Sequence, residues 1–425
     1  MKKIVYIIIC LFLFVGCSTE KSRKEQIANT PQKELLKNEK IEPAHEDTII
    51  AKKPSTEVVK PQQSVEKVSA INNKQINITY KGKDRSRIVK ATDIFKNIHY
   101  VPLETDEVAL LRPDPNCIVC RNNYIYVLDL KSLGNYIHLY DSNGKYIRDI
   151  GKKGEGPEDY WGGLHIAVNN NGMISFPDRM RSEIINYSKE GEFISRIKMD
   201  TVSLYMNMFL NDSLLLVKSC YDRSGYYFHI VDVFNKKVVR TFYPIKNRVY
   251  MIGFPETITR YKNRILVSEY QSNEILEVTL DGVKVRYTIN INDKIPPKGF
   301  WEQKVSSFSM IVDAEKRMGY IGHIPSFVEN DRSIFFYFRG SLERSETKGF
   351  ALINKVSGKS QAFRQIELAE NVFVNPNRFH FVEEGKIVMT VSPETILNSG
   401  NQEFISQFPG LKEDDNPILM FAEIK

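Results

Sequence analysis

Cysteine is scarce in this chain. Of five in 425 residues, two fall in the first seventeen positions, leaving Cys117, Cys120 and Cys220. An odd set of three is no disulfide framework. Cys117-Ile118-Val119-Cys120 has the spacing of a redox pair or half a zinc site, but the stretch reads as extended, where positions i and i+3 point to opposite faces. No second C-x-x-C and no H-x-x-x-H completes a metal site. These thiols therefore read as small buried apolar side chains, and neither a metal nor a cofactor is expected. Histidine is sparse too: His99, His138, His165, His229, His323 and His380 are scattered, and H-x-x-H, H-E-x-x-H and G-x-S-x-G are all missing. That removes the common metalloprotease and serine-hydrolase signatures.

A strong charge of one sign is also lacking. The chain carries +7, but +2 belongs to the first residues and 18–75 holds eleven basic against nine acidic residues, leaving about +3 on 76–425. A nucleic-acid surface normally needs a marked basic excess, so no nucleic-acid partner is expected. Nor does any apolar run reach the roughly 20 residues of a spanning helix. The apolar stretch Ile4–Val15, preceded by Lys2 and Lys3, has the length and flanks of a secretory signal over 1–16.

Phe14-Val15-Gly16-Cys17 resembles the lipobox of bacterial lipoproteins. The resemblance implies that Cys17 is acylated and anchors the chain to the outer membrane, facing either the periplasm or the cell exterior. From 17 to 75 the sequence is rich in Lys, Glu, Gln, Pro, Ser and Asn, with no aromatic residue. Such a segment cannot bury enough apolar surface to offset its conformational entropy, so it is expected to be a disordered tether.

Repetition organises what remains, 76–425. A short polar turn precedes a β-rich run six times, as Asn122-Asn123 before YIYVLD, Asn170-Asn171-Gly172 before MISFPD, Asn211-Asp212 before SLLLVKS, Lys262-Asn263 before RILVSE, Asn330-Asp331 before RSIFFYF and Glu383-Glu384-Gly385 before KIVMTV. Second hairpins turn at Asn143-Gly144, Glu190-Gly191, Asn235-Lys236, Asp281-Gly282 and Ser357-Gly358. Asn-Gly and Asp-Gly are strong signals for two-residue turns that need φ > 0. These second turns are spaced by 47, 45 and 46 residues, then 76. Four strands per period of about 45 residues describe a propeller blade.

The expected fold is thus all-β, a six-bladed propeller with four-stranded blades. Its sixth blade would be closed by terminal strands, NPILMFAEI (416–424) beside IHYVPLE (98–104), and the long gap before the fifth blade would hold one helical insertion over 299–319. HYVPLET (99–105), YIRDIGKKGEGPEDY (146–160) and DDNPILM (414–420) resemble segments of the six-bladed propeller lipoproteins of Bacteroidetes, related to the NHL and TolB-like propellers. That resemblance implies a secreted, lipid-anchored propeller and transfers no catalytic residue. The family's usual G-P-G-E-F/Y ending is Gly156-Pro157-Glu158-Asp159-Tyr160 here, which keeps the turn and drops a glycine.

The glycine-rich stretch GKKGEGPEDYWGG (151–163) lies between strands of neighbouring blades. A phosphate cradle needs a helix after its glycines, so these read as a tight crossing with Tyr160 and Trp161 wedged between sheets. Within each blade the short turns share one face of the disc, and the longer, varied connections share the other. Loops on a rigid scaffold carry binding groups, so the long-loop face is the expected site. Its candidates are Asp129, Asp178, Arg179, Arg181, Tyr221, Asp222, Arg223, Glu269, Tyr270, Arg339 and Arg344. Aromatic faces stack on sugar rings and guanidinium forks pair with carboxylates. A monomeric propeller binding a glycan, peptide or partner protein is the leading expectation. A hydrolase or lyase using channel carboxylates and a structural subunit of an envelope complex are the alternatives.

Overall fold

The computed structural model describes residues 74–130, 136–199, 202–219, 225–244, 258–268, 272–292, 324–339, 348–374, 379–383 and 385–425. The signal and lipidation segment, most of the tether and the expected helix over 299–319 lie outside them. The chain enters through β1 (Lys74–Ile78), β2 (Ile88–Lys90), the short α1 (Ala91–Ile94) and β3 (Phe95–Pro102). The first repeat comprises β4 (Cys117–Arg121), β5 (Tyr124–Leu128), β6 (Ile137–Asp141) and β7 (Tyr146–Asp149). The second comprises β8 (Ala167–Val168), β9 (Ile174–Asp178), β10 (Glu183–Tyr187) and β11 (Phe193–Lys198). The third runs through β12 (Leu204–Phe209), β13 (Leu214–Ser219), β14 (Tyr226–Asp232) and β15 (Lys237–Pro244). Next come β16 (Ile258–Tyr261), β17 (Arg264–Ser268), β18 (Glu274–Thr279) and β19 (Gly282–Ile291), then β20 (Ser326–Glu329), β21 (Ser333–Arg339), β22 (Lys348–Asn354) and β23 (Ser360–Phe363). After β24 (Gln365–Ala369), β25 (Val372–Val374), β26 (His380–Glu383) and β27 (Lys386–Val391), two short helices, α2 (Pro393–Leu397) and α3 (Gln402–Ile405), lead to β28 (Ile418–Ile424).

The turns set this arrangement. Asn122 and Asn123 both take left-handed φ, 54° and 63°, whose twist matches that of the flanking strands; β4 therefore folds back on β5 with Arg121 opposite Tyr124. Gly144, Gly191 and Gly358 supply positive φ at the second hairpins. Each repeat becomes an antiparallel sheet whose strands neighbour one another in chain order. At the terminal sheet β28 pairs with β27 on one side and β3 on the other, from Ile418 opposite Pro102 to Ile424 opposite Phe95. Strands from both ends of the described chain thus share hydrogen bonds and hide their edges.

The fold is an all-β propeller with four-stranded blades, but its sheets number seven among the described residues, not six. The six-sheet expectation missed β2-β24-β25, in which Ile88–Lys90 runs parallel to Gln365–Glu367. A parallel pairing between segments so far apart leaves no local hairpin signature, and strands of three to five residues show little alternation. A second unexpected pairing is β1, which adds in parallel to the outer edge of β19 and makes that sheet five-stranded. Among the described residues, strand structure starts at Lys74.

Apolar clusters fill the gaps between consecutive sheets. Tyr126, Leu128 and Ile137 meet Phe176, Ile185 and Tyr187 between the first two repeats. Val388 and Leu419 of the terminal sheet pack on Ile118, Val127 and Tyr140 of the first, closing the circuit. The small sheet is part of the same core: Val89, Ile366 and Val372 join Phe335, Phe350, Ile387 and Met420. Full burial of each such side chain contributes about 1.5–3 kcal/mol. Cys117 and Cys120 lie on opposite sides of β4, in two different clusters. No helix among the described residues is long and apolar enough to cross a membrane.

Candidate functional site

Two of the expected site residues clamp backbone. Asp129 follows β5 and is fully buried; it accepts from Arg112 N at 2.7 Å and Arg112 Nε at 2.6 Å. Asp178, also fully buried at the end of β9, accepts from Trp161 N at 2.7 Å and more weakly from the amides of Gly162, Met180 and Arg181. In both repeats the carboxylate reaches the incoming segment seventeen residues earlier in the chain. A buried anion receiving several N–H groups is stabilised in place.

The 151–163 loop is gripped in the opposite polarity to a phosphate cradle, because its carbonyls face cations. Arg181 donates to Asp159 O at 2.6 Å and Gly154 O at 2.9 Å, and Arg196 donates to Pro157 O at 2.7 Å and Asp159 O at 2.9 Å. Tyr160 is fully buried between sheets, its hydroxyl accepting from Tyr136 N at 2.8 Å. Trp161 departs from expectation: it is 45% exposed, with the Arg181 guanidinium 5.8 Å from its ring. One aromatic suffices to fill the gap, and the next residue faces outward.

Arg179 is partly buried beside this loop, its amide donating to Gly162 O, and Arg339 ends β21 opposite Lys348. Tyr221, Asp222, Arg223, Glu269, Tyr270 and Arg344 lie outside the described residues. The structure brings Asp178, Arg179 and Arg181 together around the glycine loop, and places Asp129 and Arg339 elsewhere. None of these five lines the cavity formed at the first strands of the repeats.

That cavity has a volume of about 350 Å³. The strands β4, β12, β16 and β26 and the segment leading through β8 surround it, because the first strand of each repeat contacts those of other repeats. Its apolar wall includes Val119, Leu164, Tyr205, Met206 and Met208. Its polar groups include His165, Asn207, His380, Arg121 and Arg260. Sequence reasoning missed this set. Arg121, His165, Asn207, Arg260 and His380 lie more than thirty residues apart in different repeats, and polar positions so widely separated have no spacing signature.

Hydrogen bonds fix part of the lining. Asn207 donates through Nδ2 to Ser175 O at 2.9 Å, so its Oδ1 is the acceptor facing His165 Nδ1 at 3.1 Å. This puts the His165 proton on Nδ1. The Ile118 amide donates to His380 Nδ1 at 3.3 Å. Arg121 donates to Asn170 Oδ1 at 2.9 Å, and Arg260 to Phe209 O. Burial and the like charge of Arg121 both lower the Arg260 pKa. Burial also pushes the Cys120 thiol up to about 12, so it is no thiolate nucleophile at neutral pH. Asp212 is the one acidic lining residue among those described, and its carboxylate accepts from Asn170 N at 3.1 Å. Among the described residues no group of three His, Cys, Asp or Glu side chains could hold a metal ion.

No curated protein matches the chain. Among solved structures, a Bacteroides fragilis protein described as exported superposes with a TM-score of 0.63 at 16% identity, covering 83% of this chain and 99% of that one. A DUF4221 family member from Bacteroides vulgatus gives 0.47 at 13% identity, covering 78% and 97%. Virginiamycin B lyase from Staphylococcus aureus gives 0.40 at 11% identity, covering 77% and 99%. The first of these likenesses bears on the fold alone. Residues 73–423 match the family described as Domain of unknown function (DUF4934), and with that share of its sequence the chain belongs to the DUF4934 family.

Proposed function

We propose that the protein is an extracytoplasmic binding propeller, held at the outer membrane by a lipid on Cys17, whose central cavity takes a small ligand such as a saccharide or peptide fragment. The observation that carries this reading is the cavity of about 350 Å³, whose wall combines apolar and polar side chains. Ligand sites are typically concave, of about 300–1,000 Å³, with a few convergent polar groups. The fold likeness to a protein described as exported supports the compartment, as does the signal-like start with Cys17.

Binding is favoured over hydrolysis by the lining. General acid–base chemistry on a glycan needs two carboxyl groups across the scissile bond, whereas the described lining offers Asp212 alone, already accepting from a backbone amide. In this proposal Arg179 and Arg181 beside the glycine loop, Arg339 at the end of β21, and Tyr221, Asp222, Arg223, Glu269, Tyr270 and Arg344 are further candidate contacts.

The test is a saccharide and peptide library screened against the purified protein by thermal shift, with each hit recovered and analysed. A ligand that raises Tm and returns unchanged supports the reading. Conversion of the ligand reassigns the site to hydrolase or lyase chemistry. Capture of envelope proteins with no small-molecule hit reassigns the protein to a structural role.

A further inference from the structure

The charged residues lining the cavity are unevenly matched, with Arg121, Arg260 and Lys262 against Asp212. Arg121 ends β4 and Arg260 lies in β16, strands of the first and fourth repeats, and both side chains line the same space. Their charges act on each other across it. Each has a neutral oxygen as hydrogen-bond partner, the Asn170 amide or the Phe209 carbonyl. Among the described residues neither guanidinium is within ion-pair distance of a carboxylate. Lys262, which also lines the cavity, is paired with Asp331 at 2.6 Å, and Asp212 accepts from Asn170 N. Two cations therefore line a partly enclosed volume whose one described carboxylate, Asp212, is held by a backbone amide and forms an ion pair with neither.

We propose that Arg121 and Arg260 form an oxyanion subsite, which takes the carboxylate or phosphate group of a small ligand while its body rests on Tyr205, Met206 and Met208. The proposal rests on the reading that the cavity holds a ligand. A guanidinium has five N–H donors in a planar fork, and one bond to a neutral oxygen leaves others to meet an oxyanion. The fork matches both carboxylate and phosphate geometry. Like charges brought together in a low-dielectric space repel, and an anion between them turns that repulsion into two attractions. A neutral sugar would gain only ordinary hydrogen bonds from the same groups, so the cavity discriminates by charge.

The experiment titrates the full protein with glucuronate, glucose and inorganic phosphate by calorimetry, in low and high NaCl. Wild type should bind at least one of the two anions more tightly than glucose, with affinity falling as salt rises. Preference for glucuronate assigns a carboxylate ligand, and preference for phosphate assigns a phosphorylated one. The Arg121→Gln/Arg260→Gln protein should bind the preferred anion about tenfold or more weakly, since each charge-assisted bond contributes on that scale, while its affinity for any neutral cavity ligand stays the same. Arg260→Lys, which keeps the charge and loses the fork, should fall between. Melting of each variant without ligand checks folding. Equal anion affinity in wild type and the folded double variant would overturn the subsite, as would failure of both anions to bind wild type at millimolar concentration. A neutral ligand that still occupies the cavity would then show that the broader reading survives. If neutral and anionic compounds alike fail, both readings fall.

Discussion

The deepest test of the packing between repeats is Glu329→Gln. Glu329 ends β20 with a fully buried side chain. It accepts from Arg286 Nε and Nη2 at 2.8 Å each, Tyr287 Oη at 2.8 Å and Lys355 Nζ at 2.7 Å. Arg286 and Tyr287 belong to β19 of the preceding sheet, so this carboxylate ties two repeats together. Glutamine can accept at one oxygen only, and its NH₂ would confront an N–H of Arg286. Removing one partner of a buried pair costs about 3–5 kcal/mol, and the low end applies because Arg286 keeps Glu277 at 2.6 Å. With roughly 2.1 cal/mol/K of unfolding entropy per residue over about 350 folded residues, the low end corresponds to a loss of about 4 °C in Tm. Scanning fluorimetry reads this directly, with the exposed Glu190→Gln as control. A drop below about 2 °C would refute the assignment of this contact as a tie between sheets.

The same group makes a pH prediction. Burial alone would push the Glu329 carboxyl up, but hydrogen bonds from Arg286 and Lys355 outweigh it and leave its pKa below the usual value. A depressed folded-state pKa contributes stability above the unfolded value of about 4.3, and that stability is lost as pH falls through the folded one. The Tm gap between wild type and Glu329→Gln should therefore stay constant from neutral pH to about 5 and close below about 4. A gap that widens in acid would reverse the sign and sink the account.

Three further outcomes are expected. Gly151→Ala should cost about 2–4 kcal/mol by chemical denaturation, because Gly151 has φ of 62° and an added Cβ would lie 2.5 Å from the buried Tyr187 ring; Gly358→Ala, with φ of 71° and nothing within 4 Å, should show the backbone strain alone, and equal costs would contradict the steric argument. Asp178→Ala should speed amide exchange at Trp161 and Met180 while leaving the β9–β10 ladder protected, and unchanged exchange would remove the clamp role. Cys17→Ser should release the protein from membrane fractions, and retention would reject lipid anchoring.

The parts of the fold that the sequence made legible are those fixed locally. Asn122-Asn123, Asn143-Gly144 and Asp281-Gly282 have the backbone freedom that short hairpins require, and strands with apolar cores flank them. Closure by β3 and β28 could also be read, since strands left without a local partner must meet to hide their edges. The sheet β2-β24-β25 and the parallel β1 were hidden because their partners are set by tertiary packing alone. At the site, an aspartate after a strand has the same appearance whether it awaits a ligand or binds backbone. Asp129 and Asp178 do the latter, and only the positions of Arg112 and Trp161 reveal it. Arg121 and Arg260 could not be paired from sequence, because nothing local says that strands three repeats apart face one cavity.

Comparison of the two charged regions gives the central pair its meaning. Between the fourth and fifth repeats, acids and bases are matched closely: Glu277 meets Arg264, Lys284 and Arg286, and Glu329 meets Arg286 and Lys355. Such matching is what burial of charge demands when stability is the only requirement, since an uncompensated buried ion costs several kcal/mol. The chain thus carries enough carboxylates at sheet junctions to neutralise arginines where packing calls for it. At the cavity, Arg121 and Arg260 meet a side-chain amide and a backbone carbonyl instead. Replacing either with a neutral residue would relieve repulsion in the empty protein, so the pair is a liability there and a gain only when an anion fills the space. A ligand binding the folded state alone stabilises it by RT ln(1 + [L]/Kd). Stability at the cavity should therefore track the anion present, whereas stability at Glu329 should track pH alone.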